Sequence, residues 1–269
     1  MKMPDRRIFY GRDGECGTGK TMNTIYILWL RQLKRYFRSR SRILGSLGQP
    51  LLYLVAMGFG FGPIFQKAGA GNYIQFLVPG IIAMSILFTA LFSGVEIIWD
   101  KQFGFLKETL VAPVPRFEIM IGRTLGGATV STLQGVIVLV VSTFIGFKIS
   151  SLSMLSVVLL FMFLIAVLFA ALGTVIASLL DDMQEFQLIM NFLVMPLFFL
   201  SGALFPLSGL PTALSAVASI DLLSYGVDGL RGSLLGISHF GLHIDLLVLT
   251  ITTLILFTIG SYLFSKIKI

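Results

Sequence analysis

The sequence predicts an all-α integral membrane protein: six transmembrane helices, an N-terminal amphipathic interfacial helix, and short re-entrant helices near one face. Three observations predict it. Only 12% of the 269 residues are charged and 56% are hydrophobic, with 24 Phe, and the mean hydropathy is +0.92. A soluble domain carries about 25% charged residues. Next, the charged residues leave six long windows empty, at 43–66, 68–95, 124–147, 149–180, 186–220 and 246–265, each at least 20 residues long. A helix needs roughly 20 apolar residues to cross the hydrocarbon core. Only helices and closed barrels satisfy their backbone in lipid, and barrel strands would alternate over segments of about 10 residues, unlike these continuous runs.

The third observation is the placing of charge. Six spans put both termini on one side, and 17 of the 20 Lys and Arg then fall on that side, leaving Lys67, Lys148 and Arg231 opposite. Such a bias predicts that the termini are cytoplasmic. The net charge of +7 is then expected to report topology and contact with anionic lipid, not nucleic-acid binding. Cys16 is the only cysteine, so no internal disulfide forms. Residues 1–20 hold no apolar run, which argues against a cleaved leader there.

Residues 1–21 read as a nonessential extension. Within them, GECGTGKT at 14–21 fits the phosphate-loop pattern, with Gly14, Gly19, Lys20 and Thr21 in place. Such a loop works between a strand and a helix of an α/β sheet. Here the chain reaches its first membrane span about 22 residues later, too soon for a sheet, so no nucleotide is expected at Lys20. Residues 22–42 read as the amphipathic helix. Tyr26, Trp29, Leu30, Leu33 and Phe37 recur at helical spacing opposite Arg31, Lys34, Arg35, Arg38 and Arg42. That pattern suits a helix lying in the headgroup plane, aromatics in the acyl boundary and arginines on phosphate.

Residues 43–269 form the membrane domain. Span 1 starts near Ile43 and carries Pro50 in its first turns; Gly58 and Gly62 near its end offer either a small-residue packing face or a loosened helix end before Pro63. Span 2 is expected over 74–98, a cytoplasmic loop over 100–123, span 3 over 124–146 and span 4 over 153–180. After the acidic turn DDMQE, span 5 runs to about Phe205. Pro206, Gly209 and Pro211 break any longer helix, so 206–240 is read as short re-entrant helices. Such helices persist at membrane depth only where protein or a water-lined cavity covers them. Span 6 is expected over 243–264. No internal repeat is visible.

Few residues carry chemistry. Glu96, near the inner end of span 2, is an intramembrane ionisable group, and such groups are functional candidates, although one near an interface can simply reach water. Asp228 and Arg231 stand at i, i+3 and are expected to pair, holding the outer segment. His239 and His243 are four apart, with Asp245 beyond, a spacing that can hold zinc on one helix face; Gly241 intervenes, only two imidazoles are available and the place is the entry to span 6, so no metal is expected. No Ser/His/Asp set, Cys/His cluster or carboxylate pair suggests catalysis, and the chain is read as a conduit, not an enzyme.

Three stretches resemble the membrane subunits of ABC-2-type exporters, in particular the daunorubicin-resistance and nodulation-factor branch. They are GQPLLYLVAMGFGFG in span 1, WDKQFGFLKETLVAPVPRFEIMIGR after span 2, and SGALFPLSGLP with LLSYGVDGLRGSLLG before span 6. The likeness runs from about Met22 to the C-terminus. It departs at residues 1–21 and at DLLSYG, where relatives often carry Pro-Leu-Thr-Tyr. The resemblance implies a permease that pairs with a second copy of itself or a paralogue, surrounded by membrane lipid, and docks two copies of a separate ABC ATPase. ATP and Mg would bind that partner, leaving no cofactor in this chain. It further implies that Gly104 to Gly122 is the coupling element, with Gly104, Glu108, Pro113, Arg116 and Glu118. Pro206, Tyr225, Asp228 and Arg231 would then belong to the outer loop or gate, and the substrate would be an amphipathic or hydrophobic drug, lipid or lipid-linked glycan. The residues alone also leave room for an ion-coupled transporter using Glu96 or Asp245, or for a non-transporting anchor that recruits an ATPase.

Overall fold

The computed structural model describes residues 18–67, 71–103, 115–149, 152–207 and 211–265. Among these the chain forms ten α-helices and one short 3-10 turn, with no strand. In order they are α1 (Thr18–Arg38), α2 (Arg40–Lys67), α3 (Tyr73–Phe92), α4 (Val95–Gln102), α5 (Arg116–Ile145), α6 (Leu155–Leu179), α7 (Met183–Leu200), α8 (Thr212–Ile220), α9 (Leu222–Leu235) and α10 (Leu242–Ser265). Six stretches are long and apolar enough to cross a membrane: Ile43–Lys67, Tyr73–Gln102, Arg116–Ile145, Leu155–Leu179, Met183–Leu200 and Leu242–Leu263. These match the six expected spans, and α8 and α9 supply the short pair, bent by 89° at Asp221. The protein is an all-α integral membrane protein.

Local sequence explains the ends. Asn72 caps α3 by accepting from Ile74 N–H at 3.0 Å, and Asp221 caps α9 by accepting from Leu223 N–H at 2.9 Å. Both satisfy N–H groups that a helix start leaves open. Asp221 is the first residue of the DLLSYG departure, so the divergent sequence keeps a helix start. Gly146 ends α5 with φ 113°, in the left-handed region that glycine enters without penalty. Pro50 and Pro63 both lie inside α2, so Pro63 does not end the helix. Gly58 packs beside Ile74 while Gly62 faces open space, and the packing face is therefore used at one glycine only.

Helices α3, α5, α6 and α9 form the centre, around Leu77, Ile81, Phe161, Phe169 and Leu230, all fully buried. The closest approach joins α6 to the break between α3 and α4. A Cβ on Gly94 would stand 2.4 Å from the Gly173 carbonyl oxygen, and one on Gly173 would stand 2.4 Å from that of Leu91. Only glycine admits such backbone contact, as is common between membrane helices. By contrast α2, α7 and α10 leave broad apolar faces uncovered, with Leu52, Phe59, Phe192 and Leu254 exposed.

Four boundaries depart from expectation. Span 2 is broken at Ser93–Gly94 instead of continuous, where Gly94 meets Gly173. The amphipathic helix begins at Thr18 and stops at Arg38; Arg40 already belongs to α2. The stretch 100–123 is not all loop, because α4 runs to Gln102 and α5 starts at Arg116. With 30 residues, α5 is about 45 Å long, longer than the roughly 30 Å hydrocarbon core, so its first turns extend past the span. Finally, α7 ends at Leu200, where Ser201 and Gly202 turn the chain, short of the expected Phe205.

Candidate functional site

Connectivity places α1, α4, the start of α5 and the α6–α7 turn at one end of the bundle, called here the basic end. The stretch that joins α4 to α5 carries the predicted coupling residues Gly104, Glu108 and Pro113, which lie outside the described residues. The residues on either side are described, and they are joined. Asp100 in the last turns of α4 accepts a hydrogen bond from the Arg123 guanidinium in α5, and each residue is only 5% exposed. Arg31 of α1 approaches the same carboxylate at 3.6 Å. One turn earlier, Arg35 pairs with Glu96 at 3.5 Å and its guanidinium lies 5.8 Å from the Trp99 ring. Removing one partner of such a buried ion pair typically costs about 3–5 kcal/mol.

Helix α1 packs along α5. Gly122 of α5 sits against Leu28 and Ile25, and Gly126 against Gln32 and Trp29. Further along, Trp29 Nε1 donates to Thr129 at 3.0 Å and the Tyr36 hydroxyl donates to Gln134 Oε1 at 2.6 Å. Residue numbers rise together on both helices, so α1 runs beside α5 in the same direction. Of the aromatics expected in the acyl boundary, Trp29 is instead bonded to the protein. Trp29 and Tyr36 turn into the protein, while Tyr26, Ile27 and Phe37 stay exposed. Burial holds the Tyr36 phenol above its ordinary pKa, keeping it protonated as the donor this contact needs.

Lys101 adds a further contact at this end. Its ammonium donates to the Ser178 and Leu180 carbonyls at 3.0 and 2.9 Å and pairs with Asp181 at 3.1 Å. A cation at the C-terminus of α6 satisfies carbonyls that a helix end leaves open. Arg116 is half-buried at the start of α5. Glu118 is buried in the same first turn, where the helix dipole favours a carboxylate. Above the cluster, a cavity of about 380 Å³ opens between α1, α2, the α3–α4 break and α5, lined by Gln32, Gln49, Phe88, Thr89 and Glu96. Its mixed polar and apolar wall suits an amphipathic guest, and its volume falls within the usual ligand range.

At the opposite end, Asp228 and Arg231 do not pair with each other as expected. The Asp228 carboxylate accepts from the His239 and Phe240 N–H groups at 2.8 Å. Arg231 donates to the Gly202 carbonyl at 3.0 Å and lies 4.0 Å over the Phe76 ring. Each residue pins a different segment, Asp228 the 236–241 turn and Arg231 the end of α7 and the start of α3. Backbone donors and an aromatic face outcompete a local ion pair once both groups are buried. Tyr225 donates to the Ser219 carbonyl at 2.8 Å and stacks on Phe240; Pro206 lines a cavity beside Arg231. His239 precedes α10 and His243 lies inside it, so the two do not share one helix face.

Glycines Gly122 and Gly126, Gln134 in span 3, and the Asp100–Arg123 pair were not singled out from sequence. A glycine repeat at four-residue spacing was the available signal for the first, and an amide inside an apolar window for the second. Asp100 and Arg123 are 23 positions apart, and no local pattern joins them.

Six membrane-length helices, a charge cluster tying two of them to α1 at one end, and a bent helix pair closing the other define a multi-pass helical membrane protein. A family model described as ABC-2 type transporter matches residues 23–235, and the chain belongs to that family. It is 29% identical over 263 residues to a protein of Cyanophora paradoxa named transport permease ycf38, covering 90% of this chain and 88% of that one. Nodulation protein J of Rhizobium meliloti is 30% identical, over 76% of this chain and 79% of its own. The inner membrane transport permease YadH of Escherichia coli K12 is 27% identical, over 88% and 90%. The chain is therefore a membrane transport permease subunit.

Proposed function

We propose that this permease is the membrane half of an ATP-driven exporter, moving an amphipathic or hydrophobic substrate such as a drug, a lipid or a lipid-linked glycan out of the cytoplasm. A separate ABC ATPase, in two copies, supplies the energy, and a second copy of this chain or a paralogue completes the pathway. The basic end faces the cytoplasm, with both termini, in keeping with the distribution of Lys and Arg. The observation that carries the reading is the clamp. Asp100 and Arg123 close the base of the stretch that holds Gly104, Glu108 and Pro113, and Arg31 ties that base to α1. A push on this stretch by a soluble partner is thus delivered to span 2, span 3 and α1 together, not absorbed locally. The exposed faces of α2 and α7 offer area for a second copy.

Co-purification with candidate ABC ATPases, followed by ATP-dependent transport in inverted vesicles, tests the assignment. Glu108→Ala and Gly104→Pro are expected to weaken partner binding while leaving membrane insertion intact; undiminished co-purification of both variants would count against docking there. The reading of a non-transporting anchor predicts partner binding without flux.

One observation favours an ion-coupled alternative. Asp245 is buried in span 6 against the Asp228 carboxylate. Buried ionisable groups in spans often mark ion paths. Flux that survives ATP depletion and collapses with the ion gradient would favour that mechanism. Glu96 supports it less, since it is engaged with Arg35.

A further inference from the structure

A second cavity, of about 940 Å³, lies at the end of the bundle opposite the charge clamp, between the start of α3, the end of α5 and the α9–α10 turn. We propose that it binds the phosphate of an anionic lipid headgroup, held chiefly by Lys148 and Arg231. Three Lys or Arg stand at this end, Lys67, Lys148 and Arg231, and two of them line this one cavity. Arg231 is nine-tenths buried, and its Nε has no hydrogen-bond partner. Both of the Arg231 hydrogen bonds, to the Gly202 and Phe76 carbonyls, run through one terminal guanidinium nitrogen, and the other terminal nitrogen keeps its N–H donors for a ligand.

The 20-residue helix α3 also begins at the cavity, with Asn72 and Gln75 in its wall. Its N-terminus adds positive potential, as helix starts do at many phosphate sites. The one carboxylate in the wall, Asp228, is already occupied by the His239 and Phe240 N–H groups. Lys148 is held in place through its backbone. With its amide turned to satisfy both ends, Gln75 accepts from Lys148 N–H at 2.8 Å and donates to the Lys148 carbonyl at 3.1 Å. The exposed Lys148 side chain is then free to close on an anion.

Phosphate is the anion these donors suit, because guanidinium, ammonium and helix N–H groups are its usual partners. Phe65, Phe76, Leu207, Leu235 and Ile237 add apolar surface to the wall, which matches the glycerol and upper acyl carbons of a lipid better than a hydrated free ion. The site requires neither an ATPase nor a direction of transport, so it stands apart from the exporter reading.

The test uses the full-length chain in neutral detergent micelles, titrated with fluorescent phosphatidic acid. Diacylglycerol with the same label and chains is the control that lacks only phosphate. Saturable binding of phosphatidic acid alone is expected. Lys148→Glu should weaken it by at least about tenfold, the scale of one charge-assisted hydrogen bond. Lys67→Glu, at the same end but off the cavity, should change it by less than about twofold, the scale of an exposed charge. An unchanged thermal midpoint for Lys148→Glu would show that folding is intact. If millimolar inorganic phosphate displaces the lipid, the phosphate chemistry is supported and a free ion is also a ligand; if it does not, the lipid is the ligand. Equal binding of diacylglycerol, equal losses in the Lys67 and Lys148 variants, or no loss in Lys148→Glu would overturn the proposal.

Discussion

Asp100 at the basic end and Asp228 at the opposite end are both buried aspartates, yet they are neutralised by different means. Asp100 takes guanidinium groups from two other helices, Arg123 of α5 and Arg31 of α1. Asp228 takes two backbone N–H groups from the turn that follows its own helix. The first arrangement joins elements far apart in sequence and is broken by moving any of them. The second is local and survives motion of neighbouring helices. A bundle built this way has one end where displacement of a segment is felt by three helices, and another where a cap is secured on its own.

Breaking the clamp should have the largest effect. Arg123→Ala leaves Asp100 buried with only the more distant Arg31, and is expected to cost about 3–5 kcal/mol in thermal unfolding of the detergent-solubilised chain. Adding Asp100→Leu should recover most of that loss, because the stranded charge is gone. Next in size is separation of α1 from α5. Gly126→Leu forces a side chain against Gln32, with an expected cost of about 1–3 kcal/mol and faster proteolysis within α1.

Asp228→Ala should matter less to the bundle. It leaves the His239 and Phe240 N–H groups without their acceptor, at about 1–3 kcal/mol if they remain dry. Hydrogen exchange should rise in residues 236–241 and not in α1, which would sharpen the contrast between a local cap and a shared clamp. Tyr36→Phe removes a single hydrogen bond and should cost about 1 kcal/mol. The smallest expectation is for Lys20→Ala: the phosphate-loop pattern runs into α1, with no strand beside it among the described residues, so transport should be unchanged. Lost transport at normal expression would reopen that question.

The six spans were legible because lipid imposes a length and a composition on every crossing helix, and both are one-dimensional quantities. The short bent pair was legible from Pro206, Gly209 and Pro211 for the same local reason. The path of α1 was not. Its basic and aromatic stripes are those of a surface helix, and what draws it against α5 is the flat strip at Gly122 and Gly126, about 100 positions away in sequence. The partners of Asp228 were equally hidden, because i, i+3 spacing proposes Arg231 whereas burial rewards backbone donors eleven and twelve residues on. Asp100 and Arg123 show the same limit, since the charges were visible but their meeting depends on how α4 and α5 return beside each other.

The most direct test is ATP-driven transport in inverted vesicles with the partner ATPase, comparing the native chain with Arg123→Gln at matched expression and co-purification. The clamp predicts that the partner still binds and hydrolyses ATP while transport falls by at least about tenfold, a barrier change of roughly 1.4 kcal/mol. Transport at the native rate in Arg123→Gln would contradict it.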